Sequence, residues 1–531
     1  MSQIDASLSI ANPGVRNLNG AQKVGLAMVG VAITLVFLAI FGAAATREAA
    51  FLWSILGLFS VGGILYAWAT YRNEEAGIKN NGVWFFSESS RGNWGWILGI
   101  ALTAFYVALY FYPEWLGINN EGANGGLVAV FDPLSYMLSG NPASQWFVYG
   151  TFYTVAIIIM GIKYIWKYRH SAYHVIRTIS VMFFQTAFAF LIPEFMARLN
   201  DKPQIEELGV SVPYYDLKNM WPLNYYNFDG YRLDAMTNST LNDLTGNLGF
   251  IMLVVGIASV FIISPILTFF FGKRWYCSWV CGCGGLAETA GDPFRHLSDK
   301  SLKAWKIERW IIHSVLVFVI VMTIAVVFSY LHGNDQGLWI TKEIFTAMVV
   351  LVMLGLTILV WARPKLFGTV ERDIKIIASV LMVAIAGFTV WAFLQGNQNV
   401  FFMESYPLRK YYGFFIGAIF SGVIGVGFYP LMGSRVWCRF GCPMAAILGL
   451  QQRFFSRFRI TTNGGQCISC GNCSTYCEMG IDVRAYAQRG QNIVRASCVG
   501  CGVCAAVCPR GVLALENGPN TGNSRMDDVR Y

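Results

Sequence analysis

The chain has 531 residues, 55% of them hydrophobic and 13% charged, with a formal net charge of +9 and a mean hydropathy of +0.48. Soluble domains carry about 25% charged residues, so one aqueous core cannot hide this much apolar surface and a soluble globular protein is excluded. The positive excess is no nucleic-acid signal, because it is spread over short segments between apolar runs.

Ten apolar runs are of spanning length: 24–45, 51–71, 95–113, 146–166, 174–195, 247–271, 309–330, 341–361, 373–394 and 411–432. Only helices and closed barrels satisfy their backbone in lipid, and about 20 apolar residues cross as a helix. The connecting segments therefore alternate between two sides. One side, holding both termini, carries 31 of the 39 Lys and Arg. The positive-inside bias assigns that side to the cytoplasm and the protein to the inner membrane. Segment 114–145 has no Lys or Arg and reads as an outer loop. The long outer segment 196–246, with "VPYYDLKNMWPLNYYNFDGY", reads mainly as an interfacial aromatic belt.

All thirteen cysteines then fall on the cytoplasmic side. Nearly all stand in short C-x-x-C or C-x-x-x-C groups, which in a reducing compartment indicates metal or cluster ligation. "GKRWYCSWVCGCGG" (272–285) follows one apolar run, and "GSRVWCRFGCPM" (433–444) follows another. They align without gaps: Gly272 with Gly433, Arg274 with Arg435, Tyr276 with Trp437, Cys277 with Cys438, and Cys281 with Cys442. If the chain stays helical there, i, i+4 spacing puts each pair on one face, and two facing pairs supply four thiolates for a [4Fe–4S] cluster. Lys273, Arg274, Arg435 and Arg439 are expected to favour the thiolates. A redox or metal-handling dithiol and buried structural cysteines are the competing readings, and the repeat favours the cluster. Cys283 is an additional thiol, which could substitute for Cys281, act as a redox thiol or have no role.

Near the carboxyl end, "CISCGNCSTYC" (467–477) and "CVGCGVCAAVCP" (498–509) both read C-x2-C-x2-C-x3-C. In this bacterial ferredoxin spacing, three thiolates on a tight loop hold one cluster and the fourth ligates the other. Cys467, Cys470, Cys473 and Cys508 are expected to hold one [4Fe–4S] cluster; Cys498, Cys501, Cys504 and Cys477 a second. Zinc ribbons use four ligands in two pairs and fit less well. Glu478 departs from the pattern, standing where the first run would carry proline.

Over about residues 247–531 the chain resembles the NapH/NosR group of polyferredoxin membrane proteins. Cys438-Arg-Phe-Gly-Cys442-Pro443 matches that group's C-x3-C-P motif in full, whereas Cys281 is followed by Gly282. The resemblance implies membrane electron transfer with a quinol pool and a redox partner protein. Residues 1–246 lie outside it.

Remaining polar candidates are weaker. His174 and His313 lie near the cytoplasmic ends of two spans, but haem b is not expected. Glu194, Asp216 and Glu404 fall near the outer face and resemble ordinary surface acids.

The expected fold is an all-α polytopic membrane protein of about ten transmembrane helices, with a small α+β two-cluster ferredoxin-like domain. Its expected regions are an N-terminal tail (1–23), a five-helix region with the long outer loop (24–246), a second five-helix region with the repeated motif (247–445), the ferredoxin domain (446–516) and a disordered tail (517–531). The expected function is electron relay between a quinone pool and a partner redox protein within a complex, with no nucleic acid involved. The alternative is an assembly or maturation factor that reduces a metal centre or thiols of a client enzyme.

Overall fold

The computed structural model describes residues 18–42, 49–72, 93–119, 122–200, 204–205, 210–211, 254–272, 274–333, 340–363 and 371–518. Most of the long outer segment, Asp216, Lys273 and the end of the tail lie outside the described residues. Two compact units are drawn from Met1–Asp201, Ser264–Ile311 and Ala418–Tyr531, and from Lys202–Ile263 and Ile312–Gly417.

The first unit begins with α1 (Gly20–Ile40), α2 (Ala49–Tyr71), α3 (Asn93–Phe111), α4 (Gly126–Leu138), α5 (Gln145–Lys167) and α6 (Ala172–Phe184). A widened turn, Gln185–Leu191, carries α6 into α7 (Ile192–Asn200). Further along come α8 (Ser264–Phe271), α9 (Trp275–Trp279) and α10 (Gly282–Thr289). The chain continues through α11 (Leu302–Gly333), α12 (Lys342–Ala362), α13 (Arg372–Leu394) and α14 (Ser405–Tyr412). A wide helical stretch, Gly413–Ile424, then leads to α15 (Tyr429–Met432) and α16 (Pro443–Phe455).

Among the described residues, eight helical segments are long and apolar enough to cross a membrane: α1, α2, α5, Ala172–Arg198, Val254–Phe271, Leu302–His332, α12 and α13. The other two expected spans differ from the sequence reading. In α3 the apolar stretch is short, Gly95–Phe111. The run 411–432 is interrupted between Ile424 and Tyr429, where glycines let the backbone close on α3. A Cβ on Gly422 would strike Tyr106 and Tyr110, and one on Gly427 would strike Thr103. Close approach is achieved with small residues at the expense of a regular helix.

The segment expected as a plain outer loop contains α4. Leu127, Val128, Val130 and Phe131 are buried there, in one core with Leu52, Ile55, Leu109, Phe147 and Val148. Asp132 fixes its approach by accepting from Asn124 Nδ2 and the Ala143 amide, each at 2.8 Å. Thirteen residues are too few to span a bilayer, so hydropathy alone does not reveal α4. In the second unit, α11, α12 and α13 share a core of Ile324, Val349, Met353, Ile385 and Ala386.

The carboxyl-terminal domain closes with strands Phe458–Thr462 and Leu513–Asn517, paired antiparallel from Phe458↔Asn517 to Thr462↔Leu513. Its apolar core includes Ile460, Met479, Ile481, Ile493 and Val499. The domain sits on the α5–α6 hairpin. Tyr164 and Tyr168 pack with Tyr476, Val503 and Val507, and the Tyr173 hydroxyl donates to Gly500 O at 2.8 Å.

Candidate iron–sulfur sites

Each cysteine run in the carboxyl-terminal domain turns through a left-handed glycine, Gly471 (φ 79°) or Gly502 (φ 82°). Each of these glycines caps a four-residue helix, Asn472–Thr475 or Val503–Ala506. A Cβ is disfavoured in that backbone region, so the glycines let three cysteines of a run curl inward. Cys467, Cys470, Cys473 and Cys508 line one cavity. The last cysteine of the second run thus lies beside the first three of the first run. Reciprocally, Cys504 lies near Cys501, Cys498 and Cys477; burial first, then those thiols, push its own thiol well up. Polar hydrogens already face these sulfurs: Ile481 N–H donates to Cys477 Sγ at 3.4 Å, and Asn472 Nδ2 to Cys470 Sγ at 3.5 Å.

The repeated motif is also one structure used twice, but not as a continuous helix. Cys277 lies in the short α9, and the chain breaks before Cys281, which caps α10 in an extended conformation (φ −66°, ψ 122°). Cys438 lies in a wide turn, Trp437–Gly441, and Cys442 caps α16 (φ −86°, ψ 113°). The expectation of i, i+4 pairs on one helix face is therefore corrected. A backbone break sends the second cysteine of each pair into the start of a new helix. Pro443 occupies the first position of α16, where a missing N–H costs nothing. Gly282 replaces it in α10 because a Cβ there would collide with the Gln185 carboxamide and touch Tyr153.

Cys277, Cys281, Cys438 and Cys442 converge. Burial, then Cys281 and Cys438, push Cys277 up to about 12 against the opposing Arg274 and Arg435. Burial, then Cys438, Cys277 and Cys281, likewise push Cys442 well up. Burial thus outweighs the arginines, opposite to the sequence expectation of favoured thiolates. Cys281 is the exception: a hydrogen bond from Cys283 leads the effects that lower it to about 6. Among the expected cations, Arg435 Nη1 contacts Cys438 Sγ at 3.7 Å and Cys277 O at 3.4 Å. Arg439 instead pairs with Glu308 at 3.1 Å.

This motif does not stop at the rim of the helices. From Asp292 back through α10 to Gly282, the chain runs along the α5–α6 hairpin, meeting Lys163 and Lys167, then Tyr164 and Arg177, then Ile157 and Val181, then Tyr153 and Gln185. The fourteen residues from Lys167 to Tyr153 place Cys283 about 20 Å from the Lys167 end of α5. Tyr153 faces Cys283, and its ring lies 5.2 Å from that of Tyr149, which is 5.9 Å from Tyr106.

A buried ionic network, which spacing rules do not reveal, joins the two cysteine regions. Glu288 binds Arg177 through both oxygens, approaches Arg295 and Arg435 at 3.4 and 3.5 Å, and accepts from the Tyr164 hydroxyl at 3.2 Å. Burial alone would raise its carboxyl; Arg177, Arg295 and Arg435 hold it down to about 2. Asp292 pairs with Lys167 at 2.7 Å, Arg295 at 3.0 Å and Lys163 at 3.3 Å. Glu478 pairs with Arg295 at 2.8 Å and Arg435 at 3.1 Å. The sequence signal was limited to charged residues in a segment resembling an ordinary connecting loop. His174, weighed as a haem ligand, contacts Ser171 Oγ through Nδ1 at 2.8 Å and stacks on Tyr168.

The donor set fits iron–sulfur clusters. Mononuclear zinc with Zn–S near 2.3 Å needs sulfurs about 3.8 Å apart by tetrahedral geometry. Among the described residues, the group of three metal-binding side chains with donor atoms within 4.8 Å of one another is Glu288, Glu478 and Cys501, and its carboxylates are engaged by arginines. Among the described residues no three cysteine sulfurs close to that spacing, and a four-iron cluster, larger than a single ion, does not ask them to.

These cysteine runs and apolar helices define a membrane iron–sulfur protein of electron transport. Residues 466–513 match the 4Fe-4S dicluster domain family. Residues 253–301 and 413–461 each match the 4Fe-4S binding domain family, once around each copy of the repeated motif. No curated protein and no solved structure matches the chain.

Proposed function

We propose that this protein relays single electrons between a membrane quinone pool and a partner redox protein, as a member of the NapH/NosR-type polyferredoxin group. In this reading it has ten membrane crossings and cytoplasmic termini in the inner membrane. Cys467, Cys470, Cys473 and Cys508 hold one [4Fe–4S] cluster; Cys498, Cys501, Cys504 and Cys477 hold a second. Cys277, Cys281, Cys438 and Cys442 hold a third. Such clusters, when bound, supply one-electron transfer at potentials set by their surroundings.

The observation that carries the reading is continuity. The region around the two C-x3-C pairs touches the ferredoxin domain directly, through Ser278 Oγ donating to Val499 O and the Arg435–Glu478 ion pair. The chain's groups divide the work. Ile481 N–H, Asn472 and Arg435 donate to sulfur, while buried apolar residues keep water away. Tyr153, Tyr149 and Gln185 bring hydroxyl and carboxamide groups into the hairpin beside Cys283, the polar anchors a quinone headgroup requires.

The test is iron and acid-labile sulfide on anaerobically purified protein, with low-temperature EPR. About twelve irons in the wild type, falling towards about eight in Cys438→Ser, is the expected result at four irons per cluster. About eight in both removes the third cluster. It would favour the second reading, a maturation factor using thiols, which the lowered Cys281 thiol beside Cys283 supports.

A further inference from the structure

Glu478 follows Cys477, the position that Pro509 occupies after Cys508 in the second run. Proline there needs no partner. A carboxylate does, since burying an unpaired charge is strongly unfavourable. Glu478 is fully buried and meets two fully buried guanidiniums, Arg295 and Arg435. Its carboxylate also lies beside Cys501. Arg435 reaches the other way, to Cys438 Sγ and Cys277 O. One carboxylate and one guanidinium therefore connect the two regions. The surrounding network contains Lys163, Lys167, Arg177, Arg295 and Arg435 against Asp292, Glu288 and Glu478.

We propose that the Glu478–Arg435 ion pair is a charge bridge that sets, together, the reduction potentials of the site containing Cys501 and the site containing Cys438. This rests on the reading that both sites hold clusters. Glu478 and Arg435 are positioning residues: neither replaces a cysteine, and each acts through the field it places on sulfur. The field is strong because the pair is dry and close. Coupling of this kind is reciprocal, so an electron on one site makes the next harder to place on the other. The third set, Cys467 with Cys470, Cys473 and Cys508, lies outside the bridge and provides an internal control.

The experiment is a potentiometric titration of the full-length protein in nanodiscs, followed by EPR, with iron content measured on each sample. Glu478→Gln removes one negative charge while keeping shape. It is expected to retain iron and to favour the reduced form of both bridged sites about tenfold at fixed potential, a rise of about 59 mV for one electron. The signal of the control site stays in place. Restoring the net charge with Glu478→Gln/Arg295→Gln is expected to return both potentials towards wild type, which a merely structural role would not do. If Glu478→Gln loses iron, the double variant decides: recovery of iron and potentials supports the bridge, and continued loss overturns it. About twelve irons with unmoved potentials in Glu478→Gln overturns the bridge alone. About eight irons in the wild type overturns the three-cluster reading and the bridge with it.

Discussion

Replacing Glu288 by glutamine tests the ionic network most directly. The carboxylate is 4% exposed and faces Arg177, Arg295 and Arg435, with the Tyr164 hydroxyl as a fourth neighbour. Its carboxyl is held at about 2, against an ordinary 4.5. At about 1.4 kcal/mol for each tenfold change in proton affinity, that difference amounts to about 3 kcal/mol of folding stability. Removing one partner of a buried pair costs about 3–5 kcal/mol by comparison with other proteins, so the two estimates agree. Because the folded-state value is depressed, this stability is present above pH 4.5 and is lost as the pH falls towards 2. Glu288→Gln is therefore expected to unfold about 3 kcal/mol more easily at pH 7. The variant also loses this part of the acid dependence. Asp292, held below its usual range by its cations once the opposing effect of burial is overcome, contributes equally to both proteins and cancels. Detergent-driven unfolding followed by far-ultraviolet circular dichroism measures the difference at pH 7 and along the acid limb. A gap below about 1 kcal/mol at pH 7, or an unchanged acid limb, would refute the reasoning.

Two other substitutions probe the repeated motif. Gly282→Ala drives a methyl group into the Gln185 carboxamide and is expected to cost about 1–3 kcal/mol. Shortening that neighbour in Gly282→Ala/Gln185→Ala recovers part of the loss in the same unfolding assay; a double variant no better than the single one would sink the steric explanation. Cys283→Ser keeps about twelve irons, because the four paired cysteines suffice for a cluster, and a fall towards about eight would make Cys283 a ligand.

Much of the architecture was legible because hydropathy and cysteine spacing are local signals. The ferredoxin runs suggest which cysteine crosses to the other site, and Cys508 lines one cavity with Cys467, Cys470 and Cys473. What escaped depends on tertiary packing. Helix α4 is too short to register as a span, and its burial comes from neighbours distant in sequence. The i, i+4 reading of the C-x3-C pairs failed because the backbone breaks at Val280 and again before Cys442. Charge counting could tell which side Arg435 and Arg439 share, but not that one contacts sulfur while the other binds Glu308. The position of Cys283 along α5 was hidden for the same reason: α10 runs back along α5, with Gly282 and Gly285 set against Gln185 and Val181.

The twofold motif also bears on how the protein is made. Its halves are about 160 residues apart in the chain, with α11 to α14 between them in sequence. A cofactor held by both halves has to wait until residue 442 has been synthesised, after the intervening helices are available for insertion. Such a cofactor, once in place, would act as a staple. Closing a loop of that size removes about 5 kcal/mol worth of freedom from the unfolded chain. Loading the site and finishing the fold would then be one event, and a starved cell would accumulate a loosely joined protein rather than a merely inactive one.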